Sequence, residues 1–249
     1  MTEIPFLGGK LRLIQSETGH RAGTDAVLLA ATVPDEFSGL VVDAGAASGA
    51  VGLAVAARVP TAKVRLVEID TKEAELARLN CTANGFEERL EVIEGDLLAS
   101  YQARTALHLT LSDADRVITN PPFLDEKRTR ASPDRNRQRA HSMPEGGLER
   151  WIVACHAMLK SQGILTMIHR ADHLSELLLA FEGRFGSLSI LPIYPREGSN
   201  ASRVLIEGIK DSRAPTLFMP GLVLHEADGR FTARSDALHR GLLALPFSH

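Results

Sequence analysis

Residues 41–52 read VVDAGAASGAVG: a short apolar run ends at Asp43, and Gly45, Gly49 and Gly52 then lead into an apolar, helix-like stretch. Glycine lets a backbone approach a ligand closely, and the start of a helix offers free N–H groups. The stretch therefore predicts a buried strand, a ligand-binding turn and a helix. Taken alone the signal is weak, because a glycine-rich turn after a strand is often only a tight turn.

This stretch is part of an alternation of strand-like and helix-like runs that extends from residue 24 to 210. Seven strands are predicted, at 40–43, 63–69, 90–94, 116–120, 163–169, 188–194 and 203–210. Five helices are predicted, at 24–33, 51–58, 71–84, 147–160 and 171–181. Short apolar strands separated by helices favour a parallel sheet covered on both faces, whereas the last two strands, which no helix separates, should pair antiparallel. The predicted fold class is α/β, a doubly wound, mostly parallel seven-stranded sheet with one reversed strand.

The composition is that of an ordinary globular protein, with 249 residues, 44% hydrophobic and 24% charged. This size suits a single domain over 1–249, with an N-terminal extension (1–23), a core (24–210) and a C-terminal addition (211–249). No apolar run is long enough to span a membrane, and no signal peptide pattern is present. The net charge of −3 opposes general coating of nucleic acid. Two cysteines without metal-ligand spacing predict no metal site and a cytoplasmic location.

Polar or glycine-rich residues follow four successive predicted strands. In an open α/β sheet, ligands bind beyond the carboxyl ends of the strands. Glu68 ends the second strand at the distance from Gly45 where an acid typically holds a ribose diol. Asp96 follows the third strand, and the turn NPPF, residues 120–123, follows the fourth. Glu68 alone could be a surface residue and Asp96 a helix cap, but four such features at four strand ends are hard to attribute to chance.

The glycine pattern is also close to the dinucleotide-binding fingerprint G-x-G-x-x-G. However, Ala47 occupies a position where that fingerprint has glycine. A residue with a β-carbon does not easily adopt a positive φ, so we expect the turn at Ala47 to differ from a glycine turn. A nicotinamide enzyme also offers no reason for the NPPF turn. These two points argue against a dinucleotide cofactor.

Four motifs resemble, in order and spacing, those of class I S-adenosylmethionine-dependent methyltransferases: VVDAGAASG, VEID, GDLL and NPPF. The resemblance is to the group whose Asn-Pro-Pro-aromatic motif methylates planar amino nitrogens. Two further segments are similar to the bacterial family that methylates the adenine next to the anticodon of a valine tRNA: LIQSETGHRAGTDAVLLAA and ASRVLIEGIK. The resemblance covers nearly the whole chain. It implies a Rossmann-like methyltransferase fold, S-adenosylmethionine as cofactor and a tRNA substrate.

The resemblance also implies a role for individual residues. The implied cofactor-binding residues are Thr24, Asp25, Asp43, Gly45 and Gly49 for the methionine part, Glu68 for the ribose, and Asp96 with Leu97 for the adenine. The implied catalytic residues are Asn120, Pro121, Pro122 and Phe123. The Asn120 side-chain oxygen and the Pro121 carbonyl would accept the two hydrogens of the amine. Phe123 would stack on the flipped base, an interaction of about 1–3 kcal/mol.

A basic segment follows the NPPF turn. Residues 124–144 contain six Lys or Arg and three acids. The arginines in it that are suited to holding RNA phosphates are Arg128, Arg130, Arg135, Arg137 and Arg139. The alternative is that the segment is only a solvated loop.

Two other functions stay open. A glutamine side-chain amide is also a planar NH₂ group, so the motif would serve a protein glutamine N5-methyltransferase. Such enzymes usually carry a helical domain ahead of the cofactor fold, and the stretch before Asp43 is too short for one, which favours RNA. The other alternative is a catalytically inactive RNA-binding protein of the same fold, and the intact residues 120–123 argue against it.

Two more features are interpreted as structural. Trp151 begins an amphipathic helix and is expected in the core. His169 and His173 are four positions apart, but His169 ends a predicted strand. We therefore expect these two histidines to be unrelated and to hold no metal.

Overall fold

The computed structural model describes residues 1–16, 22–122, 147–245 and 247. The strands in this part of the chain are β1 (Thr2–Phe6), β2 (Leu11–Gln15), β3 (Gly39–Ala44), β4 (Ala62–Glu68), β5 (Leu90–Glu94), β6 (Ala114–Thr119), β7 (Leu159–Arg170), β8 (Phe185–Arg196), β9 (Arg203–Lys210), β10 (Leu217–Phe218) and β11 (Leu222–His225). The α-helices are α1 (Thr24–Ala31), α2 (Ala50–Arg58), α3 (Thr71–Ala83), α4 (Tyr101–Ala106), α5 (Gly147–Met158), α6 (Leu174–Phe181) and α7 (Ala233–His239). Short 3-10 helices lie at Leu7–Gly9 and Ala171–His173.

The main sheet has the order β10-β8-β9-β7-β6-β3-β4-β5, and β11 also pairs with β8. Among the described strands of this sheet, β9 alone pairs antiparallel with its neighbours. The predicted α/β class, the mostly parallel sheet and the one reversed strand are confirmed. The described sheet has nine strands rather than seven. The extra strands β10 and β11 have only two and four residues, too short to show a periodic pattern.

Alternate residues of the central strands face opposite sides of the sheet, and both sides are apolar. Val41 and Ile118 belong to one buried cluster, together with α1 and α2. Val42 and Val117 belong to the other cluster, together with α5 and α6. Because both faces are buried, these strands have continuous apolar runs rather than an alternation of polar and apolar residues. Neither face of the central strands is therefore open to a ligand.

Helix α3 begins and ends where the sequence supplies typical boundary residues. Asp70 precedes α3, and its Oδ1 accepts hydrogen bonds from the backbone N of Lys72 (2.9 Å) and Glu73 (3.1 Å). Gly85 follows the end of α3 with a φ of 70°. An acidic cap and a left-handed glycine are typical helix boundaries, which is why α3 matches its prediction closely.

Two elements outside the predicted core pack against it. β1 and β2 form an antiparallel hairpin, which the sequence analysis did not predict, and β2 lies against α3. Helix α7 packs against α1 near the other end of the chain. Among the described helices, none is long and apolar enough to cross a membrane.

The sheet order brings the loops after β3 and β6 to one place. β3 lies between β4 and β6, with Ala44 opposite Val67 on one side and opposite Thr119 on the other. The chain order therefore reverses between β3 and β6. In such sheets the carboxyl ends of the strands on either side of this reversal border the ligand crevice. The glycine-rich turn and the Asn-Pro-Pro turn thus lie on adjacent strands.

Candidate active site

The glycine-rich turn after β3 is held against the end of β4. The backbone N–H groups of Gly45 and Ala46 both donate to the carbonyl of Val67, at 2.9 and 3.0 Å. Gly45 and Gly49 have φ values of 77° and 87°, which glycine adopts without strain. Ala47 also takes a positive φ, of 46°, so the expectation that alanine would avoid this conformation is wrong.

A specific hydrogen bond explains the conformation of Ala47. Its backbone N donates to Oε2 of Glu68 at 2.8 Å. A left-handed conformation costs a residue with a β-carbon roughly 1–2 kcal/mol. A hydrogen bond to a charged group contributes about 1.5–3 kcal/mol, enough to offset it. The contact with Glu68 thus overrides the local preference of alanine.

Glu68 links the turns after β3 and β4. It is buried, and its Oε1 accepts a second hydrogen bond from the backbone N of Asp70 at 2.8 Å. Burial raises the pKa of Glu68, and the backbone N–H groups of Asp70 and Ala47 oppose the rise. Each carboxylate oxygen can accept a further hydrogen bond. Its role toward a ribose stays a prediction.

Asp43 lies beneath the glycine-rich turn. Only 1% of its surface is exposed, and its Oδ2 accepts from the backbone N of Gly52 (2.9 Å) in the first turn of α2. Burial raises the pKa of Asp43 to about 7, and the charge of Glu68 adds to the rise while the Gly52 hydrogen bond opposes it. The observed contact supports the turn and the helix start. Direct contact of Asp43 with the methionine part of a cofactor stays a prediction.

The turn after β5 is next to Glu68. The backbone N of Gly95 donates to the Glu68 carbonyl at 2.8 Å. Asp96 closes its own turn, because its Oδ1 accepts from the backbone N of Leu98 at 2.7 Å, and Leu97 is buried. Arg150 of α5 donates to the Leu98 carbonyl at 3.0 Å. The observed contacts of Asp96 are local, as in a cap, and its contact with an adenine stays a prediction.

Thr24 and Asp25 begin α1, and their side chains contact the C-terminal part of the chain. Asp25 accepts a hydrogen bond from Nε of Arg203 in β9 at 2.9 Å. Thr24 Oγ1 is 3.1 Å from Nε2 of His239 in α7. The structure thus holds the start of α1 through long-range contacts, and its closure over a cofactor stays a prediction.

Asn120 directly follows β6, beside the glycine-rich turn. Its side-chain Oδ1 is buried and has no hydrogen-bond partner among the residues that the structure describes. A buried acceptor without a partner costs about 1–3 kcal/mol. Pro121 is buried and Pro122 is half-buried. Phe123 lies outside the described residues, as do Arg128, Arg130, Arg135, Arg137 and Arg139.

Two residues that the sequence analysis did not assign to the site connect the two turns. Thr119 Oγ1 donates to the carbonyl of Ala44 at 2.7 Å and accepts from Nε1 of Trp151 at 3.0 Å. Trp151 is buried, as predicted, and its ring lies so close to Gly45 that a β-carbon there would be 3.0 Å from it. The position of Thr119 directly before Asn120 could have indicated that it belongs to the site. Its contact with Trp151 could not be predicted from the sequence.

His169 and His173 are in contact, so the expectation that they are unrelated is wrong. Their ring centroids are 5.2 Å apart in an edge-to-face arrangement, because the short helix at Ala171–His173 turns the chain back. Burial, together with His173, lowers the pKa of His169 to about 4. No group of three or more His, Cys, Asp or Glu that could hold a metal occurs in the described ranges.

Comparison with known families supports a methyltransferase site. The pattern of the methyltransferase small domain family matches residues 16–190, which include all four turns. The chain belongs to this family. The protein is therefore a methyltransferase, and the predicted family resemblance is confirmed.

Relatives cover most of the methyltransferase chain. A tRNA1(Val) (adenine(37)-N6)-methyltransferase of Porphyromonas gingivalis is 31% identical over 229 residues, which are 88% of this chain and 86% of the relative. A protein of the same name from Aeromonas hydrophila is 28% identical over 219 residues, 86% of each chain. A crystal structure described as a "predicted O-methyltransferase" of Agrobacterium tumefaciens has a TM-score of 0.76 and 35% identity, covering 89% of this chain and 98% of its own.

Proposed function

We propose that this methyltransferase transfers a methyl group from S-adenosylmethionine to the exocyclic amine of an adenine in tRNA, near the anticodon. The observation that carries the proposal is the buried Oδ1 of Asn120, which lacks a partner among the described residues. An amide oxygen at this place accepts the hydrogen of an amine. Asn120 directly follows Thr119, whose hydroxyl bonds the last residue of β3, so the acceptor adjoins the glycine-rich turn.

The residues of the glycine-rich turn fit S-adenosylmethionine, which would supply the methyl group when bound. Gly45 and Gly49 adopt positive φ values without strain, which gives the turn its shape. Burial raises the pKa of both nearby carboxyls, Asp43 and Glu68. An opposite charge nearby stabilises an ionised carboxylate, and the cofactor carries an ammonium and a sulfonium group. The remaining acceptor sites of Glu68 suit a ribose diol.

Asn120 and Pro121 would prepare the amine for methyl transfer. The lone pair of an adenine amine is delocalised into the ring, so the nitrogen is a poor nucleophile. The Asn120 side-chain oxygen and the Pro121 carbonyl would each accept one hydrogen, which favours a more tetrahedral nitrogen with an available lone pair. Two prolines restrict the turn and position these acceptors before the substrate arrives. The nitrogen becomes acidic only after methylation, and its proton then leaves to water.

An amine substrate fits this site better than a hydroxyl. A hydroxyl must lose its proton as it attacks and needs a general base, whereas the oxygen of the Asn120 amide can accept a hydrogen bond but is too weakly basic to take the proton. A glutamine amide would satisfy the same acceptors as an adenine. RNA is favoured because the relatives named as tRNA adenine methyltransferases align over 86–88% of this chain.

We also infer that the protein acts in the cytoplasm. Both of its cysteines, Cys81 and Cys155, are free and buried. Burial raises the pKa of each thiol, which keeps both unreactive. Free thiols of this kind are typical of proteins in a reducing compartment.

The proposal is tested by replacing Asn120 with alanine and measuring single-turnover methylation with labelled S-adenosylmethionine. We expect label in the tRNA fraction, on an adenine amine by mass spectrometry, and none in the protein fraction. N120A should lower the single-turnover rate by about two to three orders of magnitude, the usual effect of losing one preorganised polar group. Its affinity for S-adenosylmethionine should stay within about twofold, because the side chain faces the substrate.

N200A is the matched control, since it removes the same amide from an exposed position between β8 and β9. It should methylate tRNA at the wild-type rate. Full single-turnover activity of N120A would show that the turn merely ends β6. Label on a protein glutamine, and none on tRNA, would show that the substrate is a protein and not RNA.

A further inference from the structure

Asn80 of α3 and Asn84, which directly follows this helix, bind the free edge of β2. Asn80 Oδ1 accepts from the backbone N of Ile14 at 2.6 Å, and its Nδ2 donates to the Ile14 carbonyl at 2.8 Å. Asn84 makes the same pair of bonds with Arg12, at 3.0 and 2.8 Å. The side chains lie one helical turn apart and take the place of a neighbouring strand. The N-terminal hairpin is therefore fixed to α3 at two successive positions.

Asn80 makes one further contact that Asn84 does not. Its Nδ2 also donates to the carbonyl of Ser48, in the glycine-rich turn, at 2.9 Å. The second donor bond of Asn84 goes instead to the Asn80 carbonyl within α3, at 2.8 Å. Asn80 is fully buried, and its three hydrogen bonds use both amide hydrogens and the side-chain oxygen. Only Asn80 of the two joins the hairpin to the glycine-rich turn.

The hydrogen bond from Asn80 to the Ser48 carbonyl fixes the orientation of the peptide group between Ser48 and Gly49. The Ser48 carbonyl and the Gly49 N–H belong to one rigid peptide unit. The Gly49 N–H donates to the Ala46 carbonyl at 2.8 Å, while Asn80 binds the other side of the same unit. Gly49 has a φ of 87° and precedes α2, so this plane sets the path of the turn into the helix. Without Asn80, the plane is held from one side only.

The next residue of β2 leads to a second segment of the candidate site. Gln15 is buried, and its Oε1 accepts from the backbone N of Ala22 at 3.1 Å. Ala22 lies two positions before Thr24, where α1 begins. Consecutive residues at the end of β2 are thus connected to the glycine-rich turn and to the start of α1. The family resemblance predicts that both segments hold the methionine part of the cofactor.

We propose that the N-terminal hairpin is part of the cofactor site, and that Asn80 is the positioning residue that couples the hairpin to the glycine-rich turn through Ser48. This inference rests on the proposed use of S-adenosylmethionine. Asn80 does not contact the substrate amine, so it acts on cofactor binding and leaves the methylation step unaffected. The hairpin would accordingly have a functional role beyond covering α3.

The test compares N80A with N84A. Both variants lose one pair of hydrogen bonds to β2, but only N80A also loses the hydrogen bond to the Ser48 carbonyl. Calorimetry with S-adenosylmethionine should give a Kd about tenfold higher for N80A and within about twofold of wild type for N84A. The single-turnover rate of N80A at saturating cofactor should stay within about twofold of wild type. Where N80A does not fold, N80S, whose hydroxyl keeps one uncharged hydrogen-bonding group in this buried position, replaces it.

The outcomes separate the inference from the proposed function. Equal changes in Kd for the two variants, or an unchanged Kd for folded N80A, would overturn the role of Asn80 while the proposed function stands. A lowered methylation rate at saturating cofactor would indicate a general disruption of the site and would also overturn it. If the wild-type protein does not bind S-adenosylmethionine, the proposed function fails first and the inference with it.

Discussion

At the residue scale, the candidate site consists of buried polar atoms that would be more stable with a ligand. The carboxyls of Asp43 and Glu68 lie beside the glycine-rich turn, and burial raises the pKa of both. The Asn120 oxygen is buried without a partner among the described residues. Carboxyls with a shifted pKa and a buried oxygen without a partner are both typical of functional sites.

We predict a pH dependence of folding stability that arises from Asp43. Its pKa is about 7 in the folded protein but near 3.9 in an unfolded chain, so the folded state binds the proton more tightly. The contribution is fully present below about pH 4 and is lost as the pH rises through about 7. D43N keeps an oxygen for Gly52 and cannot ionise. The stability of D43N relative to wild type should therefore rise by on the order of 3 kcal/mol between pH 4 and 8.

The measurement is urea unfolding of both ligand-free proteins across this pH range. The comparison with D43N is necessary because His169 acts in the opposite direction. Its pKa is lowered to about 4, so its contribution to stability grows as the pH rises from about 4 to 6.5. His169 is present in both proteins and cancels in the difference. A constant difference between the two proteins would show that folding does not raise the pKa of Asp43.

At the scale of elements, a hydrogen-bonded chain joins α5, β6 and β3 directly beneath the two turns. The Trp151 indole donates to the Thr119 hydroxyl, which donates to the Ala44 carbonyl. The Trp151 ring also fills the space that a side chain at Gly45 would need. The relative position of the two turns therefore depends on a helix that follows them in the chain.

Replacing Thr119 with valine should lower the free energy of unfolding by about 1–3 kcal/mol, because the indole N–H and the Ala44 carbonyl lose their buried partner. T119S keeps the hydroxyl and should be closer to wild type. Trp151 is the single tryptophan of the chain, so its fluorescence in urea reports unfolding at this position. A T119V protein as stable as wild type would mean that water or another group replaces the hydroxyl.

At the scale of the whole molecule, the net charge of −3 leaves RNA binding to a local basic region. The predicted region is the segment 124–144, which lies outside the described residues but begins four positions after Asn120. Its position in the chain, shortly after the Asn-Pro-Pro turn, is the reason for connecting it with the site.

Replacing Arg135, Arg137 and Arg139 together with alanine should raise the KM for tRNA. The slope of log KM against log salt concentration should fall by about 2, because each lost phosphate contact removes roughly 0.7–0.9 from this slope. Cofactor affinity should be unchanged. The matched control removes three exposed positive charges at the amino-terminal edge of the sheet, at Lys63, Lys160 and Arg213. Wild-type kinetics of the arginine variant across a salt series would make the segment a solvated loop.

The sequence by itself determined the order of the elements and the turns that carry the motifs. β5 and β9 match their predicted bounds, and α2 and α3 differ by one residue at one end. These signals are local, because buried strands have continuous apolar runs and helices have caps that a few neighbouring residues specify. Parallel strands then bring their carboxyl ends to one edge, which places the four motif turns on neighbouring strands.

Only the tertiary structure decided which residues are partners across the chain. It joined Asn80 to Ser48 and Trp151 to Thr119, and it brought His169 against His173. It also holds Ala47 in a left-handed backbone conformation, which alanine does not prefer. Such contacts join positions that have no common period in the sequence. These contacts form only once the sheet is assembled, and a hydrogen bond to a charged group, such as that from Ala47 to Glu68, is strong enough to override the backbone preference of a single residue.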